Sequence, residues 1–291
     1  MSGPEQIRTM STRELDEDPD ILLEAQTLAD MDIQKNSPRA EINGASSRRA
    51  EQQPYRFIPL RMNGNSFQGD RDTAQLLHEI GGVEALKAIT TVFYKKAFAD
   101  PHLDQFILRH NDPHFERLGN WIAEKMDPSN KIWTAERQTR SMTNPHQCVG
   151  GRINVTDRSS AHAAAWHCTK RKPEVQGEHF QLHDARVWMR LMFWSAKEVG
   201  AFQRSPTFES WYVRFIAHFV RVYEREAPPF ARESNRWSET EENINAYLAA
   251  GCLMGEDVLG EDGYGVPRSW ARHQLPREER DDSSFPYGRS D

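Results

Sequence analysis

Ile80-Gly81-Gly82-Val83-Glu84-Ala85-Leu86-Lys87-Ala88-Ile89-Thr90-Thr91-Val92-Phe93-Tyr94-Lys95-Lys96-Ala97-Phe98-Ala99-Asp100-Pro101-His102-Leu103 is the stretch whose reading decides the fold. Leu86, Ile89, Val92, Phe93 and Ala97 recur at the three- and four-residue spacing that gathers side chains on one helix face. Asp100-Pro101 stops the pattern, because proline pushes the residue before it out of the helical region. Upstream, Gly81-Gly82 separates this helix from an earlier apolar set of Leu76, Leu77 and Ile80.

The same periodicity continues outward. Phe115, Leu118, Trp121, Ile122 and Met126 mark an amphipathic helix opened by Asp112-Pro113, where aspartate can cap and proline suits the first turn. A further helix is expected from about Asp184 to Val199, with Val187, Trp188, Leu191, Met192 and Ser195 on overlapping faces, and Gly200 ends it. Another runs from about Thr207 to Arg225, carrying Phe208, Trp211, Tyr212, Phe215, Ile216, Phe219 and Tyr223. No alternating strand of useful length interrupts them and no internal repeat is visible, so the fold class is read as all-α.

The chain has 291 residues, of which 37% are hydrophobic and 27% charged, enough for a core but polar for a chain folded throughout. Residues 1–68 carry almost no apolar periodicity and include Asn43-Gly44-Ala45-Ser46-Ser47-Arg48-Arg49, so they are expected to form a disordered tail. Residues 266–291 contain the charged run Arg277-Glu278-Glu279-Arg280-Asp281-Asp282 and are read the same way. Residues 69–226 form the folded domain, and 227–265, with the helix-like Glu241, Asn243, Ile244, Tyr247 and Leu248, form a helical extension packed on it.

A formal net charge of −6 gives no basic footprint for nucleic acid. The longest apolar runs fall short of the roughly 18 residues of a spanning helix, and Met1-Ser2-Gly3-Pro4-Glu5 opens without an apolar signal segment. A soluble, cytoplasmic chain with neither membrane nor nucleic-acid partner is therefore expected. Cys148, Cys168 and Cys252 make no C-x-x-C pair and read as reduced thiols. His179 and His183 have the spacing that lets two imidazoles share a metal on a helix, but no glutamate follows the first as a base, so chance is the better account. His146 with Cys148, and His167 with Cys168, are weak zinc patterns. No phosphate loop, nucleophile elbow or dinucleotide fingerprint is present.

Taken alone, Phe93-Tyr94 is an aromatic pair in a core. In order with Leu118-x-x-Trp121-Ile122, the alanine-rich Ser159-Ser160-Ala161-His162-Ala163-Ala164-Ala165-Trp166-His167 and Val187-Trp188-Met189-Arg190, it resembles the truncated hemoglobins, of the group II type. The resemblance covers roughly residues 74–225. It departs after Met126, where Asp127-Pro128-Ser129-Asn130 and about 30 unplaced residues stand in place of a Gly-Gly-Pro corner.

The resemblance implies a two-over-two helical sandwich holding heme b. It implies that Tyr94 and Trp188 donate hydrogen bonds to a diatomic ligand on the iron, that Phe93, Leu118 and Phe106 (or Ile107) line the heme, and that His114 stands at the distal gate. The axial ligand is implied to be His167, with His179 as the alternative. Along the chain, His167 lies farther from Trp188 than the family pattern has it, and His179 nearer. A longer surface loop costs little, which favours His167. The expected function is reversible binding of dioxygen, with nitric oxide and carbon monoxide, extending to oxidation of nitric oxide with an external reductase, or to gas sensing. The alternative is a heme-free helical scaffold or interaction protein.

Overall fold

The computed structural model describes residues 54–64, 66–141, 145–148, 151–154, 162 and 164–288, and residues 1–53 of the disordered tail expected over 1–68 lie outside them. The protein is mostly helical. Its helices are α1 (Arg71–Ile80), α2 (Gly82–Ala99), α3 (Pro101–Asp104), α4 (His114–Met126), α5 (Ile132–Ser141), α6 (Leu182–Glu198), α7 (Ala201–Arg204), α8 (Pro206–Val220), α9 (Phe230–Trp237), α10 (Glu241–Ala249), α11 (Glu256–Leu259), α12 (Arg268–His273) and α13 (Arg277–Arg280). Two short antiparallel hairpins accompany them, Met62–Asn63 with Ser66–Phe67 and Pro145–Cys148 with Gly151–Asn154. The all-α reading stands. No described helix is long and apolar enough to cross a membrane.

Local chemistry sets the helix ends. The Asp70 carboxylate accepts from the Asp72 and Thr73 N–H groups at 2.9 and 3.0 Å, and the Thr73 hydroxyl accepts from Asp70 N, a reciprocal cap for α1. Gly81 ends α1 in the left-handed region at φ 108°, where a Cβ would be strained. Asp100 stops α2 and caps α3, accepting from His102 N and Leu103 N at 2.8 and 2.9 Å. At α4 the cap residue is Pro113, not Asp112. The Asp112 carboxylate instead lies 3.8 Å from Arg117, one turn into the helix.

α2 packs against α4 and α6, and α9 packs against both α6 and α8. The α2–α4 crossing is close: a Cβ on Gly119 would come within 3.1 Å of the Lys87 backbone. A side chain there would need the Lys87 segment to give by a few tenths of an ångström.

Both tail boundaries move. Ile58, Leu60 and Phe67 are buried. Phe67 meets Phe215 edge-on at 5.4 Å, and Arg214 donates to the Ile58 carbonyl at 2.8 Å. This strap is extended and only a few residues long, so it has no helical period to betray it. At the other end, the expected solvated tail is packed over 268–288: Ala271 and Leu275 are buried, and the Tyr287 hydroxyl lies 2.9 Å from His218 Nδ1. Two of the charges read as a solvated run are counter-ions, while Arg277, Glu278 and Asp281 are exposed. Asp282 pairs with Arg232 at 2.7 Å and Glu279 pairs with Arg236. Buried Arg190 on α6 likewise pairs with Glu233 of α9, and with Asp257 of α11 at 2.7 Å, fastening the C-terminal extension to the body.

Candidate functional site

α2, α4, α6 and α8 contribute to the wall of one pocket in the helical body. Its wall is almost wholly apolar. Phe93, Tyr94 and Ala97 come from α2, Leu118 and Trp121 from α4, Asp184, Ala185 and Trp188 from α6, and Ile216, Phe219 and Val220 from α8. Leu103, Phe106, Ile107, His162, Ala165, Phe180 and Tyr223 complete it. Both Phe106 and Ile107 face it, so the alternatives left by the sequence are neighbours in one wall.

Phe93 and Tyr94 sit side by side on α2, buried, with rings edge-on at 5.1 Å, and Trp188 meets the other side of Phe93 at 5.4 Å. The Tyr94 hydroxyl and the Trp188 Nε1–H are shielded from solvent, and neither makes a hydrogen bond to the described residues; the same is true of Trp121 Nε1. Burial pushes the Tyr94 phenol well above its ordinary value, with the Arg117 cation opposing. It remains a neutral O–H donor. A buried donor without an acceptor costs roughly 1–3 kcal/mol, a cost that an acceptor held in the cavity would offset.

His114 is buried beside Tyr94. Its ring stacks on the phenol at 5.4 Å and its Nε2–H donates to the Arg109 carbonyl at 2.9 Å.

On the segment between the second hairpin and α6, residues 162 and 164–166 are helical. His162 is buried in the cavity wall, 4.8 Å ring to ring from Tyr223 and 6.1 Å from Phe180. Neither His167 nor His179 is among the residues lining the cavity. His167 falls in the turn after the helix with its ring against Gly177, whose added Cβ would come 2.8 Å from His167 Cε1. His179 is exposed and stacks on Trp166 at 3.9 Å. Arg171 pins the following loop, donating to the Trp166 and Glu178 carbonyls at 2.7 and 2.8 Å beneath the Phe106 ring.

Asp184 at the rim of the cavity accepts from His102 Nε2 at 2.6 Å and from the Gln181 N–H at 2.6 Å. Burial pushes this carboxyl up, but the His102 hydrogen bond and the His183 and Gln181 contacts outweigh it and hold it below the usual range. This buried cluster was not foreseen from the sequence, where His183 had been weighed only with His179. The zinc pattern His146 with Cys148 lies outside the described side chains. The chain matches no family model, no curated protein and no solved structure.

Proposed function

We propose that this chain is a heme-binding globin of the truncated hemoglobin type, taking dioxygen and related diatomic gases. The observation that carries the reading is the apolar cavity with three orphaned buried donors, Tyr94, Trp188 and Trp121, and one buried imidazole, His162, in its wall. Apolar walls suit a flat hydrophobic cofactor, an imidazole suits its iron, and unpartnered donors suit a polar ligand on that iron. The four helices around the cavity support a two-over-two arrangement, α2 with α4 and α6 with α8.

The residues then divide into roles. His162, the imidazole in the wall, whose Nε2 lies 3.4 Å from the Tyr223 hydroxyl, takes the axial-ligand role in this reading, where the resemblance pointed to His167 or His179. Phe93, Leu118, Phe106 and Ile107 exclude water from the faces of the ring. Tyr94 O–H and Trp188 Nε1–H donate to the bound gas, and His114 and Phe93 hold those two donors in position. A heme bound here would supply the iron on which dioxygen binds and nitric oxide is oxidised, with electrons from an external reductase. Two donors on one acceptor slow ligand loss, which suits such oxidation, or sensing, better than storage.

The test is the absorption spectrum of the purified chain, as isolated and after hemin addition. One hemin per chain, with a Soret band that shifts on reduction and again under carbon monoxide, is the expected result. A colourless chain that takes up no hemin would remove the reading and leave a heme-free helical scaffold.

A further inference from the structure

Outside the proposed heme ligand, one cluster has the composition and spacing of a cation site. His102 on α3 and His183 and Asp184 at the start of α6 offer one ligand atom each, and these atoms all lie within 4.8 Å of one another. His102 and Asp184 are buried and His183 is half-buried. Both imidazoles address the same carboxylate oxygen: Asp184 Oδ1 is 2.6 Å from His102 Nε2 and 3.4 Å from His183 Nε2. We propose that His102 Nε2, His183 Nε2 and Asp184 Oδ1 bind one first-row divalent cation of the zinc type.

The geometry needs little change. Zinc holds nitrogen and carboxylate oxygen at about 2.0–2.2 Å, so adjacent ligands of a tetrahedral site stand about 3.4 Å apart. The His183–Asp184 separation already has that value. The His102–Asp184 separation must open by less than about 1 Å, and the proton now between them moves to His102 Nδ1 as the cation takes its place. Two further features hold the ligands. Asp184 Oδ2 accepts from the Gln181 N–H at 2.6 Å, which turns Oδ1 toward the imidazoles. Gly265, at φ 90°, lies so close to His183 that a Cβ there would fall on Nδ1, so the ring edge remote from the cation is fixed by backbone. Three protein ligands, two imidazoles and one carboxylate, leave a fourth position for water, the pattern of sites that keep one position open. Asp184 belongs to the cavity wall, so the cation sits at the cavity rim.

The site does not depend on heme. The full chain, stripped with a chelator and dialysed against micromolar Zn²⁺, should retain one equivalent by elemental analysis, in hemin-loaded and hemin-free samples alike. His183→Ala and Asp184→Asn should each weaken retention at least tenfold, while His179→Ala, on the ring stacked against Trp166, should not. X-ray absorption on the wild-type chain, which needs no variant to fold, should give two imidazoles among four light-atom ligands. Failure to retain Zn²⁺, retention by His183→Ala equal to wild type, or a shell without two imidazoles would overturn the proposal, whatever the hemin result.

Discussion

The ring of His114 lies stacked on the phenol ring of Tyr94, with centroids 5.4 Å apart and planes 24° from parallel. The histidine is anchored in turn to the Arg109 carbonyl, so it fixes the Tyr94 ring from behind. Removing it opens a hole and leaves a carbonyl without its donor. His114→Ala should cost about 2–4 kcal/mol in a denaturant titration, and His114→Phe, which keeps the stack, should recover more than half of that. Equal losses in the two variants would mean that the stack contributes nothing.

Tyr94→Phe separates stability from function. The hydroxyl is buried and unpartnered, so deleting it should leave the ligand-free chain as stable or up to about 1 kcal/mol more stable. In the gas-bound chain the same change removes a donor worth about 1.5–3 kcal/mol to a charged acceptor. Oxygen dissociation should speed by about 10- to 150-fold. Trp188→Phe should act in the same direction, and unchanged off-rates in both would place neither donor at the ligand.

Gly119 is where α4 meets α2. A valine there drives its Cβ into the Lys87 backbone, which cannot give way as a side-chain tip can. Gly119→Val should destabilise the fold by about 2–3 kcal/mol and lower hemin retention, because the two helices it separates carry Tyr94 and Leu118. Gly119→Ala should show the same effects at smaller size. Thermal melts together with hemin transfer to an acceptor protein measure both.

Stability should fall at alkaline pH. Burial raises the phenols of Tyr94, Tyr212 and Tyr247, and at Tyr247 the Asp100 carboxylate adds to it. In the unfolded chain these tyrosines ionise near pH 10, while the folded chain keeps their protons. The folded state then binds more protons, so stability is full below about pH 10 and declines above it, by up to about 1.4 kcal/mol per pH unit for each tyrosine. Denaturant midpoints at pH 9, 10 and 11 test this. Tyr212→Phe should make the decline shallower, since nothing but burial shifts Tyr212.

The helices of the body were legible because their apolar faces repeat with the helical period, and Leu86, Ile89 and Phe93 are all buried as that period requires. Phe93, Tyr94, Leu118, Phe106 and Trp188 were brought together by the family resemblance rather than by periodicity, and all line the cavity. Two kinds of information were not legible. The strap over 54–67 and the short helices and turns of 268–288 are too brief to show an apolar period, and their packing rests on partners far along the chain, as Arg232 does for Asp282. The histidine in the wall was hidden by helix phase: the alanine-rich run carries imidazoles at both ends, and only the position of the helix end shows that His162 faces inward and His167 lies beyond the last turn. The His102–Asp184 contact joins residues 82 apart, which no local pattern encodes.

The central claim is that the cavity holds heme on His162, and low-frequency resonance Raman of the ferrous, hemin-reconstituted chain tests it most directly. The iron–histidine band should be present in the wild type and persist in His167→Ala and His179→Ala. It should vanish in His162→Gly and return when free imidazole is added. A band that survives in His162→Gly, or one lost in His167→Ala or His179→Ala, would contradict the assignment.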